Sequence, residues 1–397
     1  MMKKRKDGAV VVSIDPGYDG TKVTVNGERF SIPKKTVRKI GNEYESMGSL
    51  DGIYEVDTKD GSFLCGPNIQ VLVDDNEDFH KRFDKGAEQS NNYAHFATKE
   101  FVANTMASLT LALLRAQKEG IISNVEDLDK TNLYVVVELP HEAVDSMTKT
   151  VAAELLGKHE YVFKGKIEYA DGETEEVNVN INVELKAEDD HFIIISQVLA
   201  CLFGYITDEE GYEIDSLKDA YPTLVIDGGY YTVGNFAISK TRAISGAASK
   251  TEYGMKVVHE RTAEAINQKC HTNYKAFDMD NLFKEEGGIV VIPKNLSETG
   301  KNEAVDCNKI LEEETRKVFA EYLAYLEETY NYFTKIKMIL FGGGTGEIYY
   351  KLFMEVANQY PNVEPKLVTY KMNKEEVTPR EAISAGAYKM VLNRLPE

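Results

Sequence analysis

Two segments far apart in the chain carry the residue types that can hold a phosphate. The first is Val10-Val11-Val12-Ser13-Ile14-Asp15-Pro16-Gly17-Tyr18-Asp19-Gly20-Thr21-Lys22-Val23, the second Leu224-Val225-Ile226-Asp227-Gly228-Gly229-Tyr230-Tyr231-Thr232-Val233. Each reads as an apolar strand ending in a carboxylate, then a turn that small residues permit, a threonine and a second strand. Such a turn aims backbone N–H groups at one point. In the first segment Asp15 would hold a metal-bound water, and the amides of Gly17, Tyr18, Asp19, Gly20 and Thr21 would bind phosphate oxygens. Lys22 faces either a phosphate or solvent. Gly228, Gly229, Tyr230 and Thr232 take the corresponding places in the second. An ordinary hairpin uses the same Asp and Gly residues, so one copy alone is weak evidence. Two copies in one order point to a duplicated domain closing on a nucleotide from both sides, with Asp15 and Asp227 facing a shared magnesium ion.

Ile339-Leu340-Phe341-Gly342-Gly343-Gly344-Thr345-Gly346-Glu347 adds a third element. Gly342, Gly343 and Gly344 after an apolar strand let backbone approach a flat ligand closely, as an adenosine moiety requires. The segment is not the dinucleotide fingerprint, because Glu347 stands in place of the last glycine. Ser249-Lys250-Thr251 lacks the glycine of a Walker ending. His141-Glu142-Ala143-Val144-Asp145 falls short of the helical zinc motif, with Asp145 where the second His belongs. The acidic runs at 173–176 and 208–210 read as solvated loops.

These motifs need sheets behind them. Residues 10–14, 21–25 and 29–32 read as three consecutive strands, the last two joined at Asn26-Gly27, a strong hairpin signal. Residues 34–93 are polar and turn-rich, and read as a small inserted subdomain. Phe101, Val102, Thr105, Met106, Leu109, Leu113 and Leu114 trace one face of a long helix. A buried strand at 133–137 ends at Leu139-Pro140, with a helix after it. Alternating strands fill 161–195, and helix resumes over 197–204. From Thr223 the strand–turn–strand pattern returns. A helix over 254–269, a turn-rich insert at 270–301, a long amphipathic helix at 303–330 and a strand at 336–341 follow. Thr378-Pro379-Arg380-Glu381 predicts a further helix start, with Thr as N-cap and Pro at N1. The repeated order implies α/β halves on mixed sheets. The first domain would be 1–220 with 34–93 inserted, completed by the helix at 378–397. The second would be 221–377, with an insert at about 265–301.

The chain of 397 residues is long enough for two cores. Lys and Arg number 46 against 65 Asp and Glu, a net charge of −19. Direct nucleic-acid binding would need a local basic patch, and only residues 3–6 supply a basic run. The apolar stretch after that run is too short for a signal peptide, and no segment approaches a membrane span. Cys65, Cys201, Cys270 and Cys307 show neither metal spacing nor a disulfide framework, which fits a reduced cytoplasm.

In this order and at these distances the three glycine motifs resemble the actin-like ATPase superfamily, which also holds sugar kinases and heat-shock chaperone ATPases. Within it the chain looks most like the plasmid-segregation actins of the ParM/StbA group. The resemblance covers nearly the whole chain. Residues 14–22 resemble the first phosphate loop, 225–233 the second, and 339–344 the adenosine loop with its preceding long helix. Leu139-Pro140 matches the Leu-Pro before the family's long insert. Arg380-Glu381-Ala382-Ile383-Ser384-Ala385-Gly386 resembles the second connecting helix. The stretch from Ser245 through Tyr253-Gly254-Met255 resembles the segment that reaches the nucleotide from the second domain, where Gly254 would allow close approach.

That resemblance implies duplicated ribonuclease-H-like domains, mixed sheets with helices on both faces, and a nucleotide cleft between the domains. It implies ATP or GTP with Mg2+, the metal held by Asp15 and Asp227 through water. It further implies head-to-tail filaments in the cytoplasm that segregate plasmid DNA through a centromere-binding adaptor of ParR type. In the superfamily a Gln or Glu opening the first interdomain helix positions the attacking water. Phe192-Ile193-Ile194-Ile195-Ser196-Gln197-Val198-Leu199-Ala200-Cys201-Leu202 resembles that junction and makes Gln197 the candidate, with Ser196 where the family often has proline. Glu188 is the competing choice. A small-molecule kinase of the same fold and a nucleotide-gated ATPase without filaments stand as the alternatives.

Overall fold

The computed structural model describes residues 8–17, 20–33, 36–39, 52–69, 93–126, 128, 132–217, 220–240, 243–276, 278–284, 286–293, 295–297, 299 and 301–395. Tyr18, Asp19, the basic run at 3–6 and much of the 34–93 insert lie outside them. The chain divides into two compact units, 1–218 with 368–397, and 219–367.

In the first unit every residue of β1 (Val10–Pro16) is buried, as a strand covered on both faces must be, and its near-continuous apolar run is the cause. β2 (Gly20–Val25) runs antiparallel to it and turns into β3 (Glu28–Pro33). Asn26 (φ 42°) and Gly27 (φ 92°) both adopt the left-handed region that a two-residue hairpin turn demands. Three short strands follow, β4 (Thr36–Arg38), β5 (Tyr54–Thr58) and β6 (Gly61–Cys65). Helix α1 (Lys99–Lys118) starts where the Thr98 hydroxyl accepts a hydrogen bond from the Phe101 amide. Next come β7 (Leu133–Leu139), α2 (His141–Leu155), the long strands β8 (Gly157–Glu168) and β9 (Thr174–Leu185), β10 (Phe192–Ser196) and α3 (Gln197–Ile206).

The main sheet has the order β10-β7-β1-β2-β3, with β7 parallel to both β1 and β10. A second sheet has the order β4-β6-β5-β8-β9. The strands of the first insert therefore do not stand alone. β5 pairs with β8 about a hundred residues later, and Val56, Phe163 and Ile181 join the same core as Val12 and Val135.

The second unit repeats the plan. Its elements are β11 (Thr223–Gly228), β12 (Val233–Ile238), β13 (Ala243–Lys250), α4 (Met255–Cys270), α5 (Asp278–Lys284), β14 (Ile289–Ile292), β15 (Glu303–Asp306), α6 (Asn308–Thr329), β16 (Met338–Gly342), α7 (Gly344–Val356) and β17 (Glu364–Leu367). Its sheet order, β13-β12-β11-β16-β17, is that of the first unit read from the other edge. β11 has β12 antiparallel on one side and β16 parallel on the other, as β1 has β2 and β7. The duplicated mixed α/β architecture expected from the sequence is present. One boundary differs. Residues 303–306, expected to open the long helix, form β15 against β14, and α6 begins only at Asn308, where the Asp306 carboxylate accepts from the Asn308 amide.

The chain then re-enters the first unit through β18 (Tyr370–Met372), β19 (Glu375–Val377) and α8 (Ala382–Leu392). Thr378 is not the helix N-cap expected. Its hydroxyl and amide both donate to Glu381 Oε2, closing a turn that is held by Arg29 on Glu381 Oε1, and helix starts one residue later. All of α8 is buried, against α3, β1, β2 and β7. Gly386 makes the closest approach, since a Cβ there would lie 1.9 Å from the Ala200 carbonyl oxygen of α3. Lys389 donates to the Gly204 and Thr207 carbonyls at the far end of α3, and burial pulls its ammonium down to about 8. No described helix is long and apolar enough to cross a membrane.

Candidate functional site

Asp15 sits near the end of β1, 1% exposed, with its two carboxylate oxygens differently occupied. Oδ1 accepts a 2.7 Å hydrogen bond from Gln197 Nε2, and Oδ2 lies 3.9 Å from Lys22 Nζ. A carboxylate offers no proton, so the Gln197 amide must present its NH2 to Asp15 and turn its carbonyl oxygen the other way. The Gln197 side chain is thereby aimed as a hydrogen-bond acceptor. Gly17 is pressed close to its neighbours, since a Cβ there would lie 2.4 Å from Lys22 Nζ and 2.9 Å from the Gly20 carbonyl. Thr21 is buried and its hydroxyl donates to Asn104 Oδ1 of α1, which ties the turn to the helix behind it. Glu188, the competing candidate, is exposed in the single turn Glu188–Asp190.

One acid in this region escaped the sequence reading. Glu138 is fully buried in β7, between Val137 and Leu139. Ser13 Oγ stands 2.6 Å from Glu138 Oε1 and 2.6 Å from the Ser384 carbonyl of α8. A hydroxyl has one proton, and the carbonyl can only accept. Ser13 therefore donates to Ser384, and the Glu138 carboxyl donates to Ser13, which makes Glu138 a neutral acid. Burial, and secondarily the charge of Asp15, push its pKa well above the usual carboxylate range. Its Oε2 has no hydrogen-bond partner among the described residues. The available signal was a lone carboxylate inside an otherwise apolar strand.

A raised pKa favours folding only while the acid stays protonated in both states. The natural chain therefore loses stability as pH rises from about 4.5 towards the higher folded-state value. Glutamine keeps a donor for Ser13 and has no proton to lose. Glu138→Gln is expected to melt roughly 2–8 °C above the natural chain at pH 7–8, with the gap closing as pH falls to 4.5. Melting curves across that range check it, and a gap that widens on acidification contradicts the neutral acid.

In the second unit Asp227 occupies the equivalent place on β11 and is 8% exposed. Glycines crowd it. Gly343 (φ 77°) lies so close that a Cβ would meet the Gly228 carbonyl at 2.4 Å and Asp227 Oδ1 at 2.9 Å. A Cβ on Gly228 would meet the Gly346 amide at 2.2 Å. The Thr345 hydroxyl donates to the Gly229 carbonyl, and the Gly229 amide donates to the Thr232 carbonyl. Gly254, at the start of α4, would strike the carbonyls of Tyr230 and Tyr231 at 2.6 Å if it carried a Cβ. The close approach it permits is thus to the Asp227 turn itself. Gly342 ends β16 opposite Asp227, and Gly344 opens α7. The turn at 228–232 and the glycines at 342–344 and 254 are one cluster within this unit.

Each central strand thus ends in one buried carboxylate beside backbone that a side chain would block. Among the described residues no three His, Cys, Asp or Glu side chains gather as a metal cage. Within either unit, a strand-end carboxylate beside open backbone has the chemistry to hold a hydrated divalent cation next to a phosphate.

No family model matches the chain, and no curated protein matches it. Solved structures do. Actin-like protein Alp7A aligns over 97% of this chain and 96% of its own at 12% identity, with a TM-score of 0.65. A pCBH ParM non-polymerisable quadruple mutant aligns over 96% and 98% at 15% identity and TM-score 0.60. Bacillus thuringiensis ParM with AMPPNP aligns over 98% and 100% at 12% identity and TM-score 0.55. With the same strand order in both units and matches of this extent, the chain has the fold of the actin-like proteins.

Proposed function

We propose that the chain is an actin-like ATPase that binds ATP with magnesium and polymerises head-to-tail into dynamic filaments serving plasmid DNA segregation. The observation that carries this reading is the hydrogen bond from Gln197 to Asp15, together with a matching strand-end carboxylate, Asp227, in the second unit of the same topology. Asp15 and Asp227 would hold the metal through water. Gly17, Tyr18, Asp19, Gly20, Thr21 and Lys22 would meet phosphates from one unit, and Gly228, Gly229, Tyr230 and Thr232 from the other. Gly254 and the glycines at 342–344 would border the nucleoside. Bound magnesium neutralises charge that builds on the transferred phosphoryl group.

Gln197 contributes orientation. An amide is no general base, but its carbonyl oxygen, turned away from Asp15, can accept a proton of a water and fix that water for in-line attack. Head-to-tail contacts are heterologous and do not close, so they build a polymer. Loss of the terminal phosphate removes contacts that favour the polymer. A chain of net charge −19 would reach DNA through a basic, ParR-type adaptor rather than by itself. The AMPPNP in the B. thuringiensis ParM structure supports the choice of an adenine nucleotide.

The test is right-angle light scattering with simultaneous phosphate release after ATP and magnesium are added, repeated over protein concentration. Scattering that appears above a critical concentration and decays as phosphate accumulates is the expected result. Steady release without scattering moves the reading to a small-molecule kinase or a monomeric ATPase. GTP in place of ATP decides the base.

A further inference from the structure

Ser196 holds the N-cap position of α3, with the extended backbone (φ −79°, ψ 132°) typical of a capping serine. Its hydroxyl nevertheless makes no bond to the helix. A serine so placed ordinarily accepts from the second or third helical amide, as Thr98 does for α1 in this same chain. Ser196 Oγ instead lies 3.0 Å from His141 Nδ1. His141 is the first residue of α2, whose own N-cap, Pro140, also supplies no side-chain bond. The strands before these helices are parallel neighbours, with Ser196 opposite Leu139. Two adjacent strand-to-helix junctions, neither capped in the usual way, are therefore tied to each other by one side-chain pair.

The residue after Ser196 is Gln197, so the tie acts on the backbone that sets where Gln197 points. We propose that His141 is a positioning residue for hydrolysis: by engaging Ser196 Oγ it pins the first turn of α3 and holds the Gln197 amide on Asp15. The proposal rests on the ATPase reading above for its consequence, though not for the tie itself. Histidine serves here because its ring reaches sideways from the start of α2 and Nδ1 can form a bond in either tautomer. If His141 is removed, the Ser196 hydroxyl is free to rotate onto the α3 amides. The junction then has two arrangements where it had one, and Gln197 spends less time in register with a bound water. Misplacement on this scale costs rate and leaves ground-state binding alone.

The experiment has two arms. In the first, phosphate release and ATP affinity are measured for His141→Ala, Ser196→Ala, the double variant and His141→Asn. Each alanine variant is expected to lose about tenfold in kcat with KM and nucleotide affinity unchanged. The double variant should lose no more than either single one. Asparagine, whose amide falls near the position of Nδ1, should recover most of the rate. Rate and affinity falling together, or multiplied losses in the double variant, overturn the proposal.

The second arm uses nucleotide-free protein. Urea unfolding of His141→Ala, Gln197→Ala and their combination is expected to show non-additive losses, because the first variant already loosens the Gln197 bond. Additive losses overturn the positioning link regardless of the kinetic result. Non-additive losses in a protein that shows no ATP hydrolysis would remove the functional reading while sustaining the tie.

Discussion

A Gln197→Ala variant is expected to bind ATP about as tightly as the natural chain while releasing phosphate roughly 10²–10³-fold more slowly. That magnitude is what removal of one preorganised hydrogen-bonding group at a reacting centre costs. The expectation of intact binding follows from the geometry. Gln197 is 8% exposed, opens α3 and is bonded to Asp15, so its removal leaves the glycine turns and both carboxylates in place. Asp15 keeps Lys22 at 3.9 Å and loses only one donor. If filaments form, those of the variant should persist long after the natural polymer has decayed. Equilibrium binding of a fluorescent ATP analogue, run beside single-turnover phosphate release, separates the two quantities. Hydrolysis at the natural rate would shift the water-orienting role to Glu188, despite its exposure.

Gly386→Ala is the second large effect, and its sign is informative. Helix propensity alone favours alanine over glycine in a helix interior by about 1 kcal/mol. The packing of α8 on α3 says the opposite, because the added methyl would lie 1.9 Å from the Ala200 carbonyl oxygen and 2.8 Å from the Gly204 amide. Those are backbone atoms of a helix and cannot swing aside as a side chain tip would. The helices must separate, and α8 has no slack, with every residue from Ala382 to Leu392 buried. Overpacking of this kind costs about 2–3 kcal/mol, a fall in melting temperature of roughly 5–10 °C for a unit of this size. A thermal melt that rises or stays level would show that the crossing is looser than described.

Local patterns carried much of the fold. The run Val10-Val11-Val12-Ser13-Ile14 and its counterpart Leu224-Val225-Ile226 read as buried central strands, and they are. Asn26-Gly27 read as a hairpin because such residues most readily take two successive left-handed conformations, and both do. What failed was non-local. Residues 34–93 read as a small inserted subdomain, and nothing nearby reveals that β5 pairs with β8. Glu303 and Ala304 are good helix formers, and the pairing of 303–306 with the strand at 289–292 overrides them. Thr378 carried a cap signature that Arg29, 352 residues from Glu381 in sequence, turns into a closed loop.

The chemistry divides in the same way. The strand-end acids and glycine turns were legible because a phosphate site needs particular residue types in a particular order. That the Gln197 amide rests on Asp15, 182 residues away, lies beyond any spacing rule. Glu138 was hidden by its surroundings, since a pattern of apolar residues averages over one acid. His141 stands in a zinc motif that Asp145 leaves incomplete, and the hydroxyl it meets, that of Ser196, lies 55 residues on.

The bond between Ser13 and Ser384 joins residues 371 positions apart and has a consequence for the chain during its synthesis. At roughly 5–20 residues per second of synthesis, about 20–70 s separate the two partners. During that interval the second unit, continuous from 219 to 367, is made, while the first waits without the helix that covers β1, β2 and β7. The nascent chain thus presents a bare apolar sheet face until its last helix emerges.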